Sequence, residues 1–401
     1  MKNRYSLIFT ITCIVLSSYT FSVIGQCTDY TNAIFTSVTK TTVTYSDVYN
    51  LEMDIYEPDG DNSTSRPLMI IAHGGSFVSG KKDDWPMPNL GDHFAKRGYV
   101  VASIQYRLGS SASELLDSLN VLDIVMKAIS DERAAIRYFT KDAATVNQYR
   151  VNPHMIVVGG YSAGSILGIP TAYINDINEV GSHIVPVINA NGGLEGNSGN
   201  AGYSSTVHAV LNLAGAIDEL DLIKVGDPVM VSCHGTADGT VPYFHDQVLK
   251  GTFQSSSIIK VHGSGNMNAH MDKLGMDNDL TTITGGDHPD LCNFDVLSDF
   301  LGPFTCEKMK QFPVSVNDNG SINNTINVYP NPSNNIINIV SEKKITAIQL
   351  RDLQGRVVFQ MTDLLESNAE LSLGNLAKGI YTLTVAFEDS IAVQHQKIVL
   401  R

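Results

Sequence analysis

Between residue 38 and residue 301, short continuous apolar runs alternate with stretches whose apolar residues recur every three to four positions. Val38 to Tyr45 and Leu51 to Tyr56 read as an opening antiparallel pair. Leu68 to Ala72 is an unbroken apolar strand, bounded by Pro67 and the glycines that follow it. Asn89 to Arg97 reads as a helix stopped at Gly98, and Val100 to Tyr106 as the next strand. From Ser118 to Phe139 the apolar positions Leu122, Val125, Met126, Ile129, Ile136 and Phe139 keep a helical period, which predicts a long crossover helix. Met155 to Val158 is a buried strand and Ile166 to Ile174 a helix. The pattern dissolves from Asn175 to Ser205, where a Gly/Asn-rich stretch reads either as a lid over a site or as a loose surface loop. Val207 to Leu213 and Pro228 to Cys233 read as strands, Asp246 to Gly251 as a short helix, Leu280 to Ile283 as a last strand and Leu291 to Leu301 as a closing helix. Strands alternating with helices predict a mainly parallel sheet flanked by helices, an α/β fold.

After residue 310 the helical period disappears. Val314 to Thr325 is rich in Asn, Ser, Gly and Asp and reads as a linker. Short β-type runs follow at Ile336 to Val340, Ala347 to Leu350, Val357 to Gln360, Leu371 to Leu373, Ile380 to Ala386 and Val393 to Leu400. Turn residues separate them, which predicts a small all-β sandwich. The expected organisation is therefore a leader at 1–25, an α/β domain at 27–310, a linker at 311–325 and a β domain at 326–401. The leader rests on Lys2 and Arg4 ahead of the apolar run Leu7 to Val15, with a small residue at Gly25 and no stop-transfer pattern behind it. That is a secretory signal, and no later apolar run is long enough to span a bilayer.

Composition narrows the function classes. A formal net charge of −14 argues against nucleic acid and anionic membrane surfaces as partners, and 43% hydrophobic residues suit a globular chain. Export of the chain permits disulfides among Cys27, Cys233, Cys292 and Cys306. Cys292 with Cys306 is the favoured bridge, and Cys233, inside an apolar run, reads as a buried free thiol. No Cys/His spacing suggests a zinc site.

Chemistry concentrates at four predicted strand ends. Gly160-Tyr161-Ser162-Ala163-Gly164 lies between a strand and a helix, the Gly-x-Ser-x-Gly elbow that lifts a serine hydroxyl above a sheet. His73-Gly74-Gly75-Ser76-Phe77 follows an earlier strand. A glycine-rich turn there turns amides into the cleft, so Gly75, Ser76 and Ala163 are the candidate oxyanion donors. His73 reads as a brace for that loop. Asp238 lies in His234 to Tyr243, at the end of a strand, where it can orient an imidazole. His288 in Gly286-Asp287-His288 follows the last strand and fits the base, ahead of His262 and His270. Trp85, the single tryptophan, either lines the pocket or packs the glycine loop down.

These residues carry a resemblance. Residues 45–301 resemble an α/β-hydrolase of the carboxylesterase/lipase group. Tyr106-Arg107-Leu108 and Asp131 to Phe139 join the four segments above in that likeness. The resemblance implies a Ser162–His288–Asp238 triad and no cofactor. The group's loop often reads His-Gly-Gly-Gly, and here Ser76 takes the third place and keeps a backbone N–H. Residues 326–401 resemble the C-terminal sorting domain of type IX secretion, on Val328 to Pro332, Asp352 to Val357, Leu376 to Tyr381 and Gln396 to Leu400. That implies recognition by the type IX machinery, export across both membranes, and residence outside the cell or on its surface. The expectation is a secreted serine hydrolase of carboxylic esters. A peptidase on the same scaffold and a non-catalytic surface binding protein are the alternatives.

Overall fold

A computed structural model describes residues 30–250, 259–311, 326–352, 356–362, 364–388 and 394–401. The expected leader, Cys27 and most of the expected linker lie outside these residues. The first unit contains strands β1 (Val38–Ser46), β2 (Leu51–Pro58) and β3 (Arg66–Ala72), helix α1 (Met87–Ala95), β4 (Val100–Ile104), α2 (Ser118–Ala144), β5 (Val151–Tyr161), α3 (Ala163–Tyr173) and α4 (Val185–Ala190). It continues with β6 (Ala209–Leu213), β7 (Ala216–Ile217), β8 (Val229–Gly235), β9 (His245–Gln247), β10 (Lys260–Gly263), α5 (Ser264–Leu274), β11 (Asn278–Ile283) and α6 (Asp295–Gln311). Eight strands form one sheet in the order β1-β2-β4-β3-β5-β6-β8-β11. β1, β2 and β4 pair antiparallel, and every pair from β4 onward is parallel.

Period-two alternation in the buried strands supplies both layers. Leu68, Ile70, Ile156 and Val158 face α2 and α3. Met69, Ile71, Met155 and Val157 face α1 and α6. This two-sided burial is why β3 and β5 read as continuous apolar runs.

Three expectations are corrected. Cys233 is not a free thiol: it is disulfide-bonded to Cys292, not Cys306 to Cys292. Cys306 is itself disulfide-bonded. A cysteine in a buried parallel strand looks like any small apolar residue, and only the packing of β8 against the segment after β11 brings Cys292 to it. Residues 245–247 are a strand, not a helix, because β10 supplies their backbone partners. Of the stretch 175–205, residues 191–205 are not a loose loop, while Val180, His183 and Ile184 line the cavity beside Ser162. Arg137 bonds Glu195 and the Gly199 carbonyl, Ser198 is fully buried against Asp131 (2.5 Å), and Asn200 donates to the Tyr45 carbonyl. Arg107, bonded to both Asp131 and Ser198, completes the anchor.

The tail contains β12 (Ile326–Tyr329), β13 (Ile336–Arg351), β14 (Val357–Met361), β15 (Glu366–Ser372), β16 (Gly379–Phe387) and β17 (Gln394–Leu400). They form one six-stranded antiparallel sheet around β13, with its own core that includes Ile339, Leu350, Leu383 and Ile398. The two runs expected at 336–340 and 347–350 are a single strand. The polar residues between them interrupt the apolar pattern but not the backbone course. Among the described residues no helix is long and apolar enough to cross a membrane.

Candidate active site

β5 ends at Tyr161 and α3 begins at Ala163, so Ser162 alone makes the turn. It does so at φ 56° and ψ −118°, a left-handed conformation that a side-chain-bearing residue adopts only under constraint. The constraint is packing. A Cβ on Gly160 or on Gly164 would run into the Ala72 carbonyl oxygen at the end of β3. The Ser162 amide is also held, donating to the Leu213 carbonyl at 2.8 Å. The hydroxyl is thereby fixed at the C-terminal end of the parallel sheet, where α/β folds place ligands.

The structure brings Ser162, Asp238 and His288 together. His288 Nε2 lies 2.8 Å from Ser162 Oγ, and His288 Nδ1 lies 2.7 Å from Asp238 Oδ2. Asp238 Oδ1 accepts from the amides of Thr240 (2.8 Å) and Val241 (2.9 Å). Burial by itself would push the Asp238 carboxyl up. The hydrogen bonds from His234 and His288 outweigh it and hold the carboxyl well below the usual range, so it is ionised at neutral pH. The loops carrying Asp238 and His288 are stitched together. Ala237 donates to the Gly286 carbonyl (2.9 Å), and Gly239 donates to Asp287 Oδ1 (3.2 Å). The Cys233–Cys292 disulfide clamps the same two segments from below.

His234 was given no role by sequence reasoning. It is fully buried, with Nε2 donating to Asp238 Oδ2 and the Val241 carbonyl (3.1 Å each). Its Nδ1 accepts from Ser264 Oγ at 2.8 Å, and Ser264 in turn accepts from Asn212 Nδ2 at 3.0 Å. Two acceptors at Nε2 and a hydroxyl at Nδ1 fix the tautomer. The signal available in the sequence was a histidine inside a strand, four residues before the aspartate. Tyr161 was missed as well. Its ring stacks on His288 (centroids 5.2 Å apart), and its hydroxyl donates to the His288 carbonyl (3.1 Å).

The glycine loop lies beside the serine. Gly74 is close enough that an added Cβ would meet Ser162 Cβ at 3.3 Å. Gly75, Ser76 and Phe77 all have positive φ (115°, 54° and 62°), a second strained segment directly at the site. Among the described residues, none accepts a hydrogen bond from the Gly75, Ser76 or Ala163 amide. His73 is buried behind the loop. It stacks on Tyr106 at 4.3 Å, and its Nδ1 donates to the Gly74 carbonyl at 2.6 Å, while burial pushes its pKa down. The other histidines are elsewhere: His262 stacks on His245, and His270 meets the Ile223 carbonyl. Trp85 packs edge-on against Tyr161 at 5.6 Å. Among the described residues no group of three or more His, Cys, Asp or Glu side chains is disposed to hold a metal ion.

Residues 53–225 match the family described as BD-FAE, and residues 327–401 match the secretion system C-terminal sorting domain. A neuroligin-like protein, glit-1, of Caenorhabditis elegans is 28% identical over 117 residues, 29% of this chain and 15% of the curated protein. The chain thus spans about a seventh of that relative's length. Thermogutta terrifontis esterase 2 with propionate bound is 23% identical at a TM-score of 0.46, covering 68% of this chain and 93% of its own. The same esterase phosphorylated by paraoxon is 24% identical at 0.45, covering 68% and 92%.

Proposed function

We propose that this α/β-hydrolase, carried out of the cell by a C-terminal type IX sorting domain, is a serine hydrolase of carboxylic esters. Residues 27–310 do the chemistry, and residues 326–401 serve export. Ser162 Oγ attacks the ester carbonyl while His288 Nε2 takes its proton. Asp238 holds the His288 ring in the tautomer that presents Nε2 to the serine, and stabilises the imidazolium that forms. The amides of Gly75, Ser76 and Ala163 receive the oxyanion, and removing one such donor costs about 10²–10³ in turnover. His288 then gives the proton to the leaving alcohol. Water, activated by the same imidazole, cleaves the acyl-enzyme.

The observation that carries this reading is the continuous chain Asp238–His288–Ser162 at 2.7 and 2.8 Å, ending on a serine held in a strained left-handed turn. Such strain persists only where the surroundings enforce it, and here they aim the hydroxyl at the imidazole. Incubation of the purified protein with a fluorophosphonate probe should label Ser162 and stop hydrolysis of p-nitrophenyl esters. Ser162→Ala should lose both the label and the activity. A wild-type protein that takes no label, or a folded alanine variant that keeps its rate, overturns the assignment.

A further inference from the structure

Ser162 opens onto a cavity of about 460 Å³. That is roughly three times the volume of about 150 Å³ in which an apolar protein cavity accepts a benzene ring. Its wall is mostly apolar. α2 supplies Leu122, Val125 and Met126, and Ile166, Ile174 and Ile184 come from α3 and the segments after it. Among the described residues, four ionisable ones reach the wall: His183, Asp218, Glu219 and Lys260. All four are exposed, so they stand at the rim, and no described ionisable residue faces the interior.

The cavity also has a side. Its wall includes Ser76, Ser162 and Ala163, and His288 is not part of it. A base that returns its proton to the leaving alcohol must reach that oxygen, so the alcohol departs on the His288 side of Ser162. There the neighbours are Tyr161 and Trp85, and the indole is 52% exposed, so this side opens to solvent. The other substituent of the carbonyl, the acyl group, is left facing the cavity.

We propose that the cavity is an acyl pocket, and that the protein prefers esters of an uncharged apolar acyl chain of about eight carbons or more, with little restriction on the alcohol. The inference rests on the ester-hydrolase reading above. The test measures kcat/KM for p-nitrophenyl acetate, butyrate and octanoate, and in parallel for acetate esters of ethanol and octanol. Burying each added methylene favours the longer chain severalfold, so octanoate should exceed acetate by at least about tenfold. The alcohol series should stay within about threefold, because that side is not enclosed. Leu122→Trp, which fills the cavity away from the reacting atoms, should lower the ratio of octanoate to acetate kcat/KM at least tenfold. Val125→Trp serves the same purpose should the first variant fail to fold. A probe-labelled, acetate-hydrolysing protein whose rate is flat or falls with acyl length overturns the acyl pocket, as does a rise confined to the alcohol series. Absence of both labelling and ester hydrolysis removes the underlying reading, and the pocket assignment with it.

Discussion

Asp238 receives hydrogen bonds from four groups: the Thr240 and Val241 amides on Oδ1, and His288 and His234 on Oδ2. Only the His288 bond leads on to Ser162, and the other three hold the carboxylate still. His234 is the one of these that a mutation can remove. It sits in a buried relay that starts at Asn212 Nδ2, passes through Ser264 and ends on Asp238. His234→Phe keeps roughly the ring volume but deletes the contacts to Ser264, Asp238 and the Val241 carbonyl, leaving the Ser264 hydroxyl proton and one lone pair of Asp238 unsatisfied in a buried site. The expected cost is about 1–3 kcal/mol of unfolding free energy. Urea titration of the variant should show a lower midpoint at unchanged slope. An unshifted midpoint would mean that His234 is not a supporting partner of the carboxylate.

At the level of elements, α2 carries an unusual group. Glu132 is fully buried, and its two carboxyl oxygens have no partner among the described residues. The nearby Thr171 hydroxyl already donates to the Leu167 carbonyl at 3.0 Å, so it does little for the carboxylate. Burial therefore pushes the Glu132 carboxyl up to about 8. An unfolded Glu titrates near about 4.3, so between that pH and about 8 the folded state holds a proton that the unfolded state has lost. The contribution to stability is complete at the acid end of this window and is lost as pH rises through the folded value, on the order of a few kcal/mol in all. Glu132→Gln should flatten the fall in stability between about pH 5 and pH 8. Urea midpoints at pH 5, 7 and 8.5 decide it, and equal slopes in variant and wild type would discard the idea. The neighbours of Glu132 mark what a one-dimensional pattern can and cannot carry. The apolar period announces α2 and its core face. The mainly parallel sheet and the strand-end positions of Ser162, Asp238 and His288 follow from local alternation and from the elbow glycines. Arg107, Asp131 and Arg137 look like ordinary helix and loop charges, yet they pin residues 191–205, and nothing local in either segment declares the pairing. The Cys233–Cys292 bridge and the short polar strand β9 are of the same kind, fixed by partners that only the folded sheet brings near.

Across the whole molecule, the tail and the hydrolase unit meet at the end of the sheet remote from the chemistry. Arg351, on β13, is buried, and its guanidinium donates to His154 Nδ1 (3.0 Å), to Thr206 Oγ1 (3.3 Å) and to Gln349 Oε1 (2.9 Å). His154 lies early in β5, and Thr206 precedes β6, whereas Ser162 follows the last residue of β5. Seven residues of strand lie between His154 and Ser162, eight steps that span about 25 Å. The Ser162–His288–Asp238 contacts and the loop at Gly75 are all built from hydrolase residues at the opposite end. Removing the tail should therefore leave catalysis alone. A chain ending at Gln311 should keep kcat/KM on p-nitrophenyl esters within about twofold of the full chain, the usual limit of coupling between sites so far apart. The same truncation should strand the protein inside the cell, because residues 327–401 are the sorting domain. Fractionation of producing cells, with esterase activity assayed in each fraction, reads both outcomes at once. A folded truncated chain that loses tenfold or more of its rate would show that the tail holds the active end of the sheet in place through Arg351, and activity that still reached the medium would contradict the division of labour between the two units.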